Sequence, residues 1–71
     1  MSEDRIGIEV NGERRQTVSG QNLEELLRAL DLHPRMVVVE RNGNIVRRDA
    51  YPATPIEPGD RLELVHFVGG G

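Results

Sequence analysis

Leu62-Glu63-Leu64-Val65-His66-Phe67-Val68-Gly69-Gly70-Gly71 is a run of strand-forming residues that passes straight into three glycines. In an extended strand Leu62, Leu64, His66 and Val68 share one face, while Glu63, Val65 and Phe67 share the other. Both faces are therefore largely apolar, and the strand holds out a tail without Cβ atoms. Such a tail adopts almost any backbone conformation and enters clefts too narrow for ordinary side chains. At an extended rise of about 3.3–3.6 Å per residue it reaches roughly 10 Å beyond the strand and ends in a carboxylate. The competing reading is a frayed end, since chain termini are commonly poorly ordered. A strand that runs into the glycines with no linker favours a working tail. If Leu62 and Leu64 face a core, Val65 and Phe67 lie on the open face of the sheet. There they form either a docking patch for a partner or the underside of a covering loop.

Immediately upstream, Glu57-Pro58-Gly59-Asp60 places proline and glycine at the centre of a type II turn that launches this strand. Residues 47–56, with Pro52 and Pro55, read as an irregular surface connection. Ile45-Val46 is a short strand or edge, and Glu40 to Asn44 a turn. Met36 to Val39 is a continuous apolar run, as in a strand covered on both sides or close to the sheet centre. Before it, Pro34 prevents a helix from continuing past Leu32-His33. Leu23, Leu26, Leu27 and Leu30 recur at i, i+3, i+4 and i+7, the stripe of a helix packed on a sheet. Asn22 precedes them with Glu25 three positions later, the pattern of a capped helix start. At the N-terminal end Ile6, Ile8 and Val10 alternate with Gly7 and Glu9, and Asn11-Gly12 turns the chain into a second strand over Arg14 to Val18.

Hairpin, helix, strand, short strand and final strand make an α+β chain of the β-grasp (ubiquitin-like) type. A mixed sheet of four to five strands packs on one main helix, with the first and last strands as parallel central neighbours joined by a right-handed crossover. The division is a β-grasp domain over 1–68 and a glycine tail over 69–71.

Composition narrows the chemistry. A chain of 71 residues makes one domain, too small for a large internal cavity beside its core. With no cysteine it has no disulfide, thiolate metal site or catalytic thiol of its own. His33 and His66 lie far apart without metal-ligand spacing, so no metal site is expected. A net charge of −3 disfavours nucleic acid as a partner. No hydrophobic run approaches the roughly 20 residues of a membrane span and the acidic start is unlike a signal peptide, so the expected location is the cytoplasm, away from any membrane. All nine basic residues are arginine, which leaves no lysine to accept an isopeptide bond.

Val39-Glu40-Arg41-Asn42 and the ending Val65-His66-Phe67-Val68-Gly69-Gly70-Gly71 resemble the bacterial ubiquitin-like sulfur carriers of the ThiS/MoaD family, and among them the ThiS carriers of thiazole formation in thiamin biosynthesis. The resemblance covers nearly the whole chain. A diglycine end alone is also shared with molybdopterin-synthase small subunits and tRNA-thiolating carriers. The resemblance implies that a ThiF-like adenylating enzyme uses ATP and magnesium to turn the Gly71 carboxylate into an acyl-adenylate. Sulfur from a cysteine desulfurase then displaces AMP, and the thiocarboxylate passes its sulfur to a ThiG-like thiazole synthase. Gly69 and Gly70 would thread the tail into the partner's site, with Val65 and Phe67 as docking residues. The chain would bind no cofactor itself, act as a protein cosubstrate instead of an enzyme, and be a monomer when free. Its residues agree: a carboxylate is a poor electrophile until adenylated, and no glycine-rich phosphate loop precedes the helix. Two other readings are a MoaD-like carrier serving molybdopterin or tRNA thiolation, and a β-grasp binding module with an inert tail. A small enzyme built on Asp49, Tyr51 and His66 is disfavoured, because no spacing ties the three together.

Overall fold

The structure, a computed structural model, describes residues 4–67. Val68 and the expected glycine tail at 69–71 lie outside the described residues. Asn11 and Gly12 take φ of 51° and 83°, the doubly left-handed geometry whose twist suits a two-residue hairpin. They fold β1 (Arg5–Val10) onto β2 (Glu13–Val18) in antiparallel register. The same device recurs at Asn42 and Gly43, with φ of 52° and 87°. This second turn joins β3 (Val37–Arg41) to β4 (Asn44–Val46), so β3 runs further than Met36 to Val39 and the expected five-residue turn contracts to two residues.

Between the hairpins lies α1 (Leu23–Ala29). Asn22 Oδ1 accepts from the Glu25 N–H at 2.8 Å, and Glu25 Oε1 accepts from the Asn22 N–H at 2.9 Å, so both members of the capping box are present. The helix stops before Pro34 can act on it. Asp31 adopts φ of 63°, and the Leu32 and Asp31 N–H groups donate back to Leu27 and Arg28 carbonyls at 2.9 and 3.0 Å. That is a Schellman end with aspartate where glycine is usual. Pro34 instead opens a 3₁₀ turn at Pro34–Met36, capped by His33, whose Nδ1 accepts from the Arg35 N–H at 3.2 Å.

β5 (Arg61–His66) is the central strand of the order β2-β1-β5-β3-β4, parallel to β1 and antiparallel to β3. This is the β-grasp arrangement, a mixed five-stranded sheet on one helix. Leu23, Leu26 and Leu27 of α1 meet Ile8, Val10, Val37, Val39 and Leu62 of the sheet in one buried core. Two expectations change. Val38 is only partly buried, so of the two readings of the Met36 to Val39 run, cover on both sides fails, while closeness to the sheet centre holds, since β3 lies beside the central β5. The connection over 47–56 is not purely superficial: it forms a 3₁₀ turn at Arg48–Ala53 and contributes Tyr51 and Ile56, 2% and 4% exposed, to the core. The Tyr51 hydroxyl donates to the Val37 carbonyl at 2.8 Å, beyond the end of β4. Burial pushes this phenol above its ordinary pKa, against the pull of the Arg48 charge. Among the described residues no helix is long and apolar enough to cross a membrane.

Candidate functional site

Everything that leads toward the glycines is organised by β5. The Glu57 to Asp60 turn that launches it has Gly59 at φ 82° and a hydrogen bond from the Asp60 N–H to the Glu57 carbonyl at 3.1 Å, as the proline-glycine pair predicts. Asp60 is 4% exposed and its carboxylate is fully engaged. Oδ2 accepts from the Glu57 N–H and from Arg41 Nε, both at 2.9 Å, and Oδ1 from Asn42 Nδ2 at 3.1 Å. Burial opposes its ionisation, but the hydrogen bonds from Glu57, Arg41 and Asn42 together with the Arg41 charge prevail and hold the carboxyl below its ordinary pKa. Asn42 Oδ1 also accepts from the Arg61 N–H at 2.9 Å. Arg41-Asn42 thus latches the second hairpin to the start of β5, a role that spacing alone did not reveal.

At the far end the Asn11 side chain does for β5 what β1 no longer can. Its Oδ1 accepts from the Leu64 N–H at 2.8 Å and its Nδ2 donates to the Leu64 carbonyl at 3.3 Å. The amide therefore stands in for a strand residue just past the end of β1.

Cross-strand register defines the open face. Val38 lies opposite Val65, and Glu40 lies opposite both Glu63 and Ile45. Because partners and alternate residues share a face, Val38, Ile45, Val65 and Phe67 belong to one surface. Ile45, Val65 and Phe67 are 64%, 57% and 46% exposed, so no loop among the described residues covers the residues read as either docking patch or buried underside. Val38 and Ile45 join the pair that the sequence singled out. Alternation within each strand could have placed them there only once the β3 to β5 register was known. Phe67 continues the antiparallel pairing, its N–H donating to the Met36 carbonyl at 2.8 Å. The expected reacting and threading residues, Gly71, Gly70 and Gly69, lie outside the described residues.

The three residues of the imagined enzyme site have other occupations. Tyr51 is buried and hydrogen-bonded in the core, Asp49 is exposed and pairs with Arg47 at 3.6 Å, and His66 ends β5. Among the described residues no group of three or more His, Asp or Glu side chains could hold a metal ion.

Residues 8–71 match the ThiS family. The chain is 44% identical over 64 residues to a thiazole synthase of Magnetococcus marinus, covering 90% of this chain and 20% of that protein. It is 39% identical over 49 residues to the sulfur carrier protein ThiS of Bacillus subtilis, covering 69% of this chain and 74% of that one. The chain spans about a fifth of the length of the curated thiazole synthase relatives. The crystal structure of a thiamine biosynthesis protein (ThiS) from Geobacter metallireducens superposes with a TM-score of 0.79 at 36% identity, over 93% of this chain and 100% of that one. A β-grasp sheet centred on β5 and a family match that extends through the final glycines converge on one conclusion: this chain belongs to the ThiS family.

Proposed function

We propose that this chain is a sulfur carrier for thiazole formation in thiamin biosynthesis, a protein cosubstrate whose Gly71 carboxylate is adenylated and converted to a thiocarboxylate. The observation that carries the reading is the family match over residues 8–71, which takes in Gly69, Gly70 and Gly71 together with the whole of β5. A carboxylate attacks the α-phosphate of ATP on a ThiF-like enzyme, pyrophosphate leaves, and the acyl-adenylate becomes electrophilic at the Gly71 carbonyl carbon. Sulfur delivered from a cysteine desulfurase as a bound persulfide attacks that carbon and AMP departs. Reduction of the resulting acyl disulfide by a second thiol leaves the thiocarboxylate. ATP and magnesium belong to the adenylating enzyme.

The recipient is a ThiG-like thiazole synthase, a reading supported by relatives that bear that name and contain a segment similar to this chain. Val65 and Phe67, with Val38 and Ile45 beside them, form the docking patch. Glu40 and Glu63 face each other on the same surface, with Ile45 on the other side of Glu40, and like charges directly opposite one another destabilise a sheet. A partner that brings a cation there relieves the repulsion while covering the apolar side chains. Intact mass spectrometry after incubation with the adenylating enzyme, ATP, cysteine and a desulfurase is the test. The expected result is a gain of about 16 Da, oxygen replaced by sulfur, and loss of that gain when Gly70-Gly71 is deleted from a still-folded chain. No gain with active partners, or thiazole synthesis retained after the deletion, overturns the carrier reading.

A further inference from the structure

β2 and β4 are the edge strands of the sheet. β4 is three residues long and β2 six. Hydrogen bonds on the far side of β1 show which groups β2 leaves open. The Gly7 carbonyl accepts from the Gly59 N–H at 2.8 Å, and the Glu9 and Asn11 N–H groups donate to the Asp60 and Leu62 carbonyls at 2.9 Å. Residues 7, 9 and 11 thus bond away from β2. Peptide groups alternate sides along a strand, so Ile6, Ile8 and Val10 bond toward β2, to their register partners Thr17, Arg15 and Glu13. The Ser19 N–H, which donates to the Asp4 carbonyl at 2.9 Å, keeps the same phase. The N–H and C=O of Arg14, Gln16 and Val18 therefore point outward from the sheet, with no partner among the described residues.

Beside this edge, between β2 and α1, runs a groove of about 220 Å³ with Ile8, Leu26, Ala29 and Leu30 in its lining. Its charged lining is Arg5 and Arg15, with no carboxylate. Arg14 lies on the other face of β2, and among the described residues neither it nor Arg15 is ion-paired. Glu9, opposite Arg14 in register, pairs with Arg61 instead at 3.7 Å. Glu13, next to the hairpin turn, is the one acid of β2. The chain as a whole carries a charge of −3, so this basic edge runs against the overall balance. Charges on an edge strand keep identical strands apart. Pairing of two β2 strands would bring the arginines of both copies onto one short ladder, whereas an acidic strand is attracted by them.

We infer that the outer edge of β2 accepts an extended segment of a partner protein in which apolar and acidic residues alternate, added beside β2 as a further strand. The outward N–H and C=O groups at Arg14, Gln16 and Val18 call for a peptide backbone, since each complements the opposite dipole of a neighbouring strand. Every second side chain of the added strand lies over Leu26, Ala29 and Leu30 of α1, and the intervening carboxylates lie beside Arg14 on the other face. Arg5 and Arg15 in the groove's lining select against a basic segment. β1 separates this edge from β5, so the inference leaves the Val65 and Phe67 patch free and does not depend on the sulfur-carrier reading.

The probe is a synthetic peptide of about ten residues, the length of a long strand, alternating valine and glutamate. Its counterpart alternates valine and lysine. In the wild-type chain saturated with the glutamate peptide, amide hydrogen exchange at Arg14, Gln16 and Val18 is expected to slow by about tenfold or more. The Arg15 and Thr17 N–H groups, already bonded to β1, should change less. Arg14→Glu combined with Arg15→Glu is expected to weaken binding by about tenfold or more. Gln16→Pro deletes an outward N–H that the fold leaves unused, the edge setting in which a strand tolerates proline. It should bind about tenfold more weakly than Gln16→Ala, which keeps the N–H. If the proline variant fails to fold, a backbone ester at residue 16 replaces it in the comparison. Phe67→Asp should bind the peptide as the wild-type chain does. No binding of the glutamate peptide, equal binding of the lysine peptide, or protection that does not alternate along β2 overturns the inference. So does equal binding of the residue 16 variants, or loss of binding in Phe67→Asp, which would place the peptide on the open face. Protection of the same three amides by self-association without peptide would assign the edge to a second copy and overturn it as well.

Discussion

Asn11 and Asn42 each have two tasks, and only one of them is visible from their neighbours. Both sit at positive φ ahead of a glycine, which is why Asn-Gly is written at these turns. Both also reach out of the turn to β5, Asn11 to Leu64 and Asn42 to Asp60 and Arg61. Asp60 lies where the second of these reaches converges, and its depressed pKa makes stability depend on pH. A carboxyl whose folded value lies below its unfolded one stabilises fully above the unfolded value, near 4, and loses that contribution as pH falls through the lower folded value. Asp60→Asn is expected to lower stability at pH 7 by about 2 kcal/mol, since a charged acceptor of several bonds is weakened. Urea midpoints of both proteins at descending pH should converge as the wild-type carboxyl is protonated. A gap that stays constant from neutral to strongly acid solution would show that ionisation is not what Asp60 contributes.

At the scale of elements, α1 began where its sequence said and ended for a reason its sequence concealed. The capping box is a local pattern, with Asn22 and Glu25 three apart, and it forms as written. The Schellman end needs Asp31 in a left-handed conformation, a site where glycine is the usual signal, so Pro34 looked like the terminator. Leu27 and Leu32, which this end brings together, both pack into the core. Asn22→Ala should cost about 1 kcal/mol through the lost cap. In a domain of this size that lowers the melting temperature by about 4–8 °C, and Asn22→Ser should recover most of it. Thermal unfolding followed by circular dichroism measures both. Tyr51 failed to stand out in sequence because two prolines mark its surroundings as a loop. Its burial follows from a hydroxyl that finds the Val37 carbonyl where β4 has ended.

For the molecule as a whole, the sheet separates one face that holds it together from one that is exposed. Leu62 of β5 is fully buried under α1, while Val65 is 57% and Phe67 46% exposed on the opposite side. Polar substitution on that open face should therefore alter recognition more than folding. Phe67→Asp is expected to change stability by no more than about 1 kcal/mol, because the lost burial is partial. It should weaken binding to the adenylating enzyme or the synthase by about tenfold or more, a loss of at least 1.4 kcal/mol. Paired urea melts and titration calorimetry report the two quantities. An unfolded variant, or one that binds normally, would remove Phe67 from the docking surface.

Local chemistry was enough to determine the element types, the first hairpin, the capped helix start, the β-grasp order and the apolar alternation of the last strand. Each depends on near neighbours in the chain: a positive φ at asparagine and glycine, a carboxylate three residues from its cap, or a two-residue period. What the tertiary structure alone decided are the contacts between residues far apart in sequence. Asn11 to Leu64, Arg41 and Asn42 to Asp60, and the gathering of Val38 and Ile45 with Val65 follow from strand register, and Tyr51 to Val37 from the packing of its 3₁₀ turn into the core. Register emerges only when the two hairpins close on β5 over a shared core, because a shift of one residue would turn every side chain of a strand to the opposite face.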